Sequence, residues 1–158
     1  VSNETMEEVQ GICHWQLRSY LGEALLCGDR QVTVGALDTL WLDKIEFTGN
    51  VLCNMREAYF AYQLEVNGEM VSEGVSLFTA PKHFRFADPG LRLRREGDTL
   101  IVRAEHFAKS VEIRGGDGSG SYVKLSDNFF DMNPGEKRVR ILEGDAESFQ
   151  MRSVYDIR

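Results

Sequence analysis

Histidine, proline and cysteine are scarce in this 158-residue chain, three of each. His14, His83 and His106 form no pair at metal-ligand spacing. No Gly-x-Ser-x-Gly elbow accompanies them, so neither a metal site nor a hydrolytic triad is expected. Cys13, Cys27 and Cys53 all lie in the first half and form no CxxC pair, which argues against a zinc site. A Cys13–Cys53 bridge is conceivable, but three thiols acting as small hydrophobes is the simpler expectation. Positive charge is also short: 18 Lys+Arg stand against 25 Asp+Glu, a net charge of −7. Residues 1–86 carry 6 basic and 12 acidic residues (−6), and residues 87–158 carry 12 and 13 (−1). Neither half is basic, so no nucleic-acid or anionic membrane partner is expected. No apolar run approaches the roughly 20 residues that span a bilayer. Val1-Ser2-Asn3-Glu4-Thr5 has neither the basic nor the apolar region of a signal peptide, so none is expected in this stretch. That says nothing about a longer parent.

What is present is ordinary globular composition, 42% hydrophobic and 27% charged, patterned with a period of two. Cys13, Trp15 and Leu17 alternate with His14, Gln16 and Arg18; Phe60, Tyr62, Leu64 and Val66 alternate with Ala61, Gln63 and Glu65. The same rhythm recurs at Val32/Val34, Ile45/Phe47, Leu91/Leu93, Leu100/Val102/Ala104, Val111/Ile113, Val139/Ile141 and Phe149/Met151. Alternation marks strands with one buried face. Turn residues separate the runs at Leu21-Gly22-Glu23, Cys27-Gly28-Asp29, Asn67-Gly68, Glu96-Gly97-Asp98, Pro134-Gly135-Glu136 and Glu143-Gly144-Asp145, and Asn67-Gly68 is the strongest hairpin signal. Glu4–Gln10 and Asn54–Tyr59 could each form a helical turn, without a sustained helical period. About a dozen to fourteen short strands exceed one immunoglobulin-like sandwich, so an all-β chain of two tandem immunoglobulin-like β-sandwich domains is expected. The boundary is expected between Ala80-Pro81-Lys82 and Asp88-Pro89-Gly90, giving domains 1–83 and 84–158.

Candidate sites are few. Asp117, Asp127, Asn128 and Asp131 offer oxygen ligands for calcium, but turn capping beside the loop Gly115–Gly120 is the plainer reading. That loop lacks the Lys-Ser/Thr and the helix of a phosphate cradle, and no cofactor is expected. Trp41, Tyr59, Tyr122 and Tyr155 have no obvious core face; they could stack on sugars or pack at an interface. Arg92, Arg94, Arg95, Arg138 and Arg140 fall on outward faces, as a docking surface or a solvated face whose aliphatic stems cover the sheet. Asn3-Glu4-Thr5 is a glycosylation sequon, relevant only in a eukaryotic secretory pathway.

One stretch is specific: Ser126-Asp127-Asn128-Phe129-Phe130-Asp131, followed by Pro134-Gly135-Glu136. It resembles the "SDN-aromatic-F-D…PGE" signature of the last immunoglobulin-like domain of family two glycoside hydrolases of the β-mannosidase type. Leu77-Phe78-Thr79-Ala80-Pro81-Lys82, Ala108-Lys109-Ser110-Val111 and the opening Val1–Thr5 with Trp15-Gln16-Leu17 agree with that resemblance, which covers essentially the whole chain. Physically the signature reads as a corner capped by Asp and Asn side chains, with Phe129 and Phe130 re-entering a core and Pro134-Gly135 turning into the last hairpin.

The resemblance implies a parent enzyme that hydrolyses terminal β-mannosides with retention, using two glutamates on a (β/α)₈ barrel. Such a barrel needs about 250 residues, and no such stretch is present. No catalytic residue is therefore assigned. Ser126, Asp127, Asn128, Phe129, Phe130, Asp131, Pro134 and Gly135 are expected to be structural, and the chain itself inactive. Its expected partner is the catalytic barrel of the same polypeptide. The alternative is a carbohydrate-binding or adhesion module with exposed aromatics. The compartment stays open between an exported and a lysosomal parent.

Overall fold

The computed structural model describes residues 1–47, 49, 55–116 and 122–157. Two compact units divide the chain: Val1–Ser19 with Glu23–Phe84, and Tyr20–Gly22 with Arg85–Arg158. The fold is all-β, in the immunoglobulin-like sandwich class, with eleven strands among the described residues.

In the first unit, β1 (Val9–Ser19), β2 (Ala24–Val34), β3 (Ala58–Val66) and β4 (Glu69–Leu77) form one antiparallel sheet in the order β2-β1-β3-β4. Asn67 and Gly68 link β3 to β4 with φ of 54° and 81°; positive φ at both positions suits the twist of a tight hairpin. Outside this sheet the described residues of the unit form one isolated bridge. Ser2 bridges Thr39, with Asn3 N–H donating to Asp38 O and Leu40 N–H to Val1 O, both at 2.9 Å. Buried Asn3 ties this bridge to the end of β2: its two amide N–H groups are shared among Glu7 O, Val34 O and Gly35 O, and its Oδ1 accepts from Thr5 N–H and Oγ1. The sequon asparagine is thus an internal latch.

Three local expectations fail here. Cys27-Gly28-Asp29 is no turn but lies inside β2, because Gly28 makes room for a ring on β1. Residues 5–7 form a bend rather than a helix, and Val9 already belongs to β1. Ile45–Phe47 is not a strand; the segment is held by side chains, through Phe47 and the Arg30–Asp43 ion pair at 2.5 Å.

The second unit is a two-layer sandwich. One sheet has the order β5-β6-β10-β8, from β5 (Arg92–Glu96), β6 (Thr99–Ala104), β10 (Gly135–Gly144) and β8 (Val123–Leu125). The other has the order β11-β7-β9, from β11 (Phe149–Arg152), β7 (Ala108–Gly115) and β9 (Phe130–Met132). Leu100, Val102 and Val139 from the first sheet meet Val111, Ile113, Phe130 and Met132 from the second in one buried cluster. Each large side chain so buried contributes about 1.5–3 kcal/mol. Glu112 departs from the expected outward orientation. It is buried on β7, where Arg114 Nε at 2.6 Å and Arg152 Nε of β11 engage its two oxygens. Arg114 first, and Arg152 with it, hold its carboxyl below the usual carboxylate range. A buried charge persists only when paired in this way.

Candidate functional site

β8 ends at Leu125 in one sheet and β9 begins at Phe130 in the other, so residues 126–129 carry the chain across the sandwich. Each polar signature residue ties this crossing to a neighbour. Ser126 exchanges two hydrogen bonds with Arg140 of β10: its N–H donates to Arg140 O at 2.8 Å, and its Oγ accepts the Arg140 N–H at 2.9 Å. Asp127 faces Lys137 Nζ at 3.1 Å. Asn128 accepts the Ile113 N–H at 2.8 Å and returns Nδ2 to Ile113 O at 3.0 Å, standing in for a strand partner of β7. Asp131 accepts the Ser110 N–H at 2.9 Å and Lys109 Nζ at 2.5 Å. Ser110 lies in the left-handed region (φ 51°) inside a register break of β7 against β9. Asp131 thereby satisfies a backbone donor that the ladder has lost.

The two phenylalanines divide their roles. Phe130 is 7% exposed, in the core, with Lys137 Nζ 4.8 Å from its ring centre. Phe129, expected to enter the core too, is 62% exposed. At φ 58°, with its N–H held by Asn128 Oδ1 at 3.0 Å, it occupies the turn itself, and its side chain faces away. Pro134 leads into β10, which starts at Gly135.

A second feature lies on one face of the first unit's sheet. Trp15, Phe60 and Tyr62 share that face, because Trp15 pairs Tyr62 and Leu17 pairs Phe60 across β1 and β3. Phe47 sits 5.7 Å from both Trp15 and Phe60 and 5.9 Å from Phe78; Phe60 lies 6.4 Å from Trp15 and 6.2 Å from Tyr62. Phe47 and Phe78 close on the buried Leu17 and Ala58. Away from them the rings line an open cavity of about 830 Å³ with Arg30, Asp43 and Ser76 on its wall.

Other candidates are dispersed. Asp117 and the loop residues Gly118–Gly120 lie outside the described residues, as does Cys53. Cys13 and Cys27 carry free thiols; Cys13 is buried, and burial pushes its thiol up. No group of three His, Cys, Asp or Glu side chains able to hold a metal occurs among the described residues. Asp127, Asn128 and Asp131, read as turn-capping side chains rather than calcium ligands, each turn to a different protein partner. His14 bridges three strands, with Nδ1 2.6 Å from Asp29 and Nε2 3.5 Å from Glu65. His106 Nδ1 contacts Asp88 O at 2.8 Å. Of the four aromatics without an obvious face, Trp41 is 89% exposed and Tyr122 is exposed, Tyr155 is half-buried, and Tyr59 is fully buried against Phe84. Burial pushes the Tyr59 hydroxyl far above the usual phenol range, with Arg18 opposing. Arg92, Arg94, Arg95 and Arg138 pair with Glu105, Glu96, Asp145 and Glu96 respectively. Neither the Asn128–Ile113 pairing nor the ring-lined face is legible in the sequence, since both depend on which strands become neighbours.

Two immunoglobulin-like sandwich domains in tandem, the second with this corner, define a class: accessory domains of mannosidase-type family two glycoside hydrolases. The chain belongs to the mannosidase Ig/CBM-like domain family, whose model matches residues 1–83, and the mannosidase Ig-fold domain matches residues 86–157. No curated protein matches it in sequence. Among solved structures, it is similar to the β-D-mannosidase from Dictyoglomus thermophilum, with a TM-score of 0.72 and 13% identity over 95% of this chain. It is also similar to the exo-chitosanase CsxA from Amycolatopsis orientalis, with a TM-score of 0.52 and 15% identity over 97%. The chain spans 19% of the first and 25% of the second.

Proposed function

We propose that the chain is the non-catalytic C-terminal accessory part of a β-mannosidase-like retaining glycoside hydrolase. Residues 1–83 form the penultimate domain and 84–158 the last, and together they support a catalytic barrel of the same polypeptide. The carrying observation is the engagement of Ser126, Asp127, Asn128 and Asp131 in bonds within the second unit. Ser126 and Asp127 bind β10 in one sheet while Asn128 and Asp131 bind β7 in the other, an arrangement that supports a scaffold role for the corner.

The gene upstream of Val1 tests this reading. A barrel-sized region with glutamates at two strand ends is the expected result. A stop codon or an unrelated domain there would contradict it.

A further inference from the structure

Side chains on a strand ordinarily stand up from the sheet. Trp15 and Tyr62 do not. Trp15 lies over Gly28 of β2: a Cβ there would come within 2.5 Å of Trp15 Cζ2. Tyr62 lies over Gly74 of β4: a Cβ there would come within 2.3 Å of its hydroxyl oxygen. Both glycines are the direct cross-strand partners of these rings. In the order β2-β1-β3-β4, one ring leans toward each edge of the sheet. The two therefore splay apart above the central pair of strands and turn ring faces, rather than edges, toward the cavity. Tyr62 keeps 40% of its surface exposed.

The wall of the cavity carries charge that is already neutralised. Arg30 Nη2 meets Asp43 at 2.5 Å, and Lys44 meets Glu46 at 2.7 Å. A pocket with an apolar aromatic floor and a few polar wall groups is the usual form of a small-ligand site, and its volume lies in the usual range of about 300–1,000 Å³. Flat ring faces match the C–H face of a pyranose, while paired charges offer hydrogen bonds to hydroxyls without favouring a charged ligand.

We infer that the face formed by Trp15, Phe60 and Tyr62 is a binding site for a neutral pyranose or short oligosaccharide. Gly28 and Gly74 set the ring tilt that makes it one. The inference does not depend on the scaffold role, since a chain with no turnover can still bind sugar.

Only two tryptophans are present, so Trp41→Phe leaves Trp15 as the sole reporter at the site. The 158-residue chain with that change is titrated with a β-linked mannose disaccharide and with a cationic glucosamine disaccharide, following Trp15 emission. A saturable change is expected, stronger for the neutral sugar. Tyr62→Ala should weaken binding about tenfold, given the energy of one aromatic contact. Gly74→Val keeps every ring but forces Tyr62 upright, and should weaken binding as much while circular dichroism stays unchanged. If Gly74→Val fails to fold, Tyr62→Ala alone decides. A flat titration with both sugars, or equal binding by Tyr62→Ala, would overturn the site. Tighter binding of the glucosamine disaccharide would overturn its assignment to neutral sugars.

Discussion

Asn128 pairs with Ile113 through both ends of its side-chain amide, accepting the backbone N–H at 2.8 Å and donating to the carbonyl at 3.0 Å. A side chain thus completes the ladder of β7 where the neighbouring backbone has turned away toward the other sheet.

Replacing Asn128 with Asp removes the donor and keeps the acceptor. The Ile113 carbonyl then loses its partner, at a cost of about 1–3 kcal/mol. Urea unfolding of the second unit should show that loss, and hydrogen exchange at the Ile113 amide should quicken more in Asn128→Ala than in Asn128→Asp. Equal stability of both variants and the parent chain would remove the signature's structural role at this residue.

The adjacent phenylalanines should differ sharply. Phe130→Ala deletes a core ring and should destabilise by about 3–5 kcal/mol. Phe129 is exposed in a conformation that costs an L-residue about 1–2 kcal/mol, so Phe129→Gly should leave stability unchanged or raise it. Thermal melts of the two variants are the check, and comparable losses would contradict the division of roles.

His14 makes the first unit sensitive to pH. Its hydrogen bond to Asp29, then the charges of Asp29 and Glu65, raise its pKa above the ordinary value of 6.5 despite some desolvation. A group raised on folding stabilises fully below its unfolded pKa of about 6.5, and that contribution is lost as pH rises through the higher folded value. The chain should therefore exceed His14→Gln in urea midpoint more at about pH 5.5 than at about pH 8.5. A difference that grows toward alkaline pH would reverse the sign and refute the bridge.

The sequence made some of this legible and hid the rest for physical reasons. Asn67-Gly68 was readable because a tight hairpin demands positive φ at adjacent residues, a local requirement. Gly28 looked like turn chemistry, yet it makes room for the ring of Trp15, its direct partner across the sheet; a glycine that makes room is indistinguishable in sequence from one that bends. Glu112 looked solvent-facing by alternation, yet it is buried because Arg114 on its own strand and Arg152 on β11 both engage it. The Ser126–Asp131 stretch was recognisable as a motif, but the different fates of Phe129 and Phe130 depend on backbone dihedrals that no residue type dictates. Ile45–Phe47 alternates like a strand but pairs with no strand among the described residues, and ring contacts of Phe47 hold it.

The most direct test of the scaffold account is incubation of the 158-residue chain with an aryl β-mannoside, following release of the aryl group. The account predicts a rate equal to the uncatalysed background, with and without Glu112→Gln or Asp131→Asn. Saturable hydrolysis above background, abolished by replacing a single carboxylate of the chain, would contradict it.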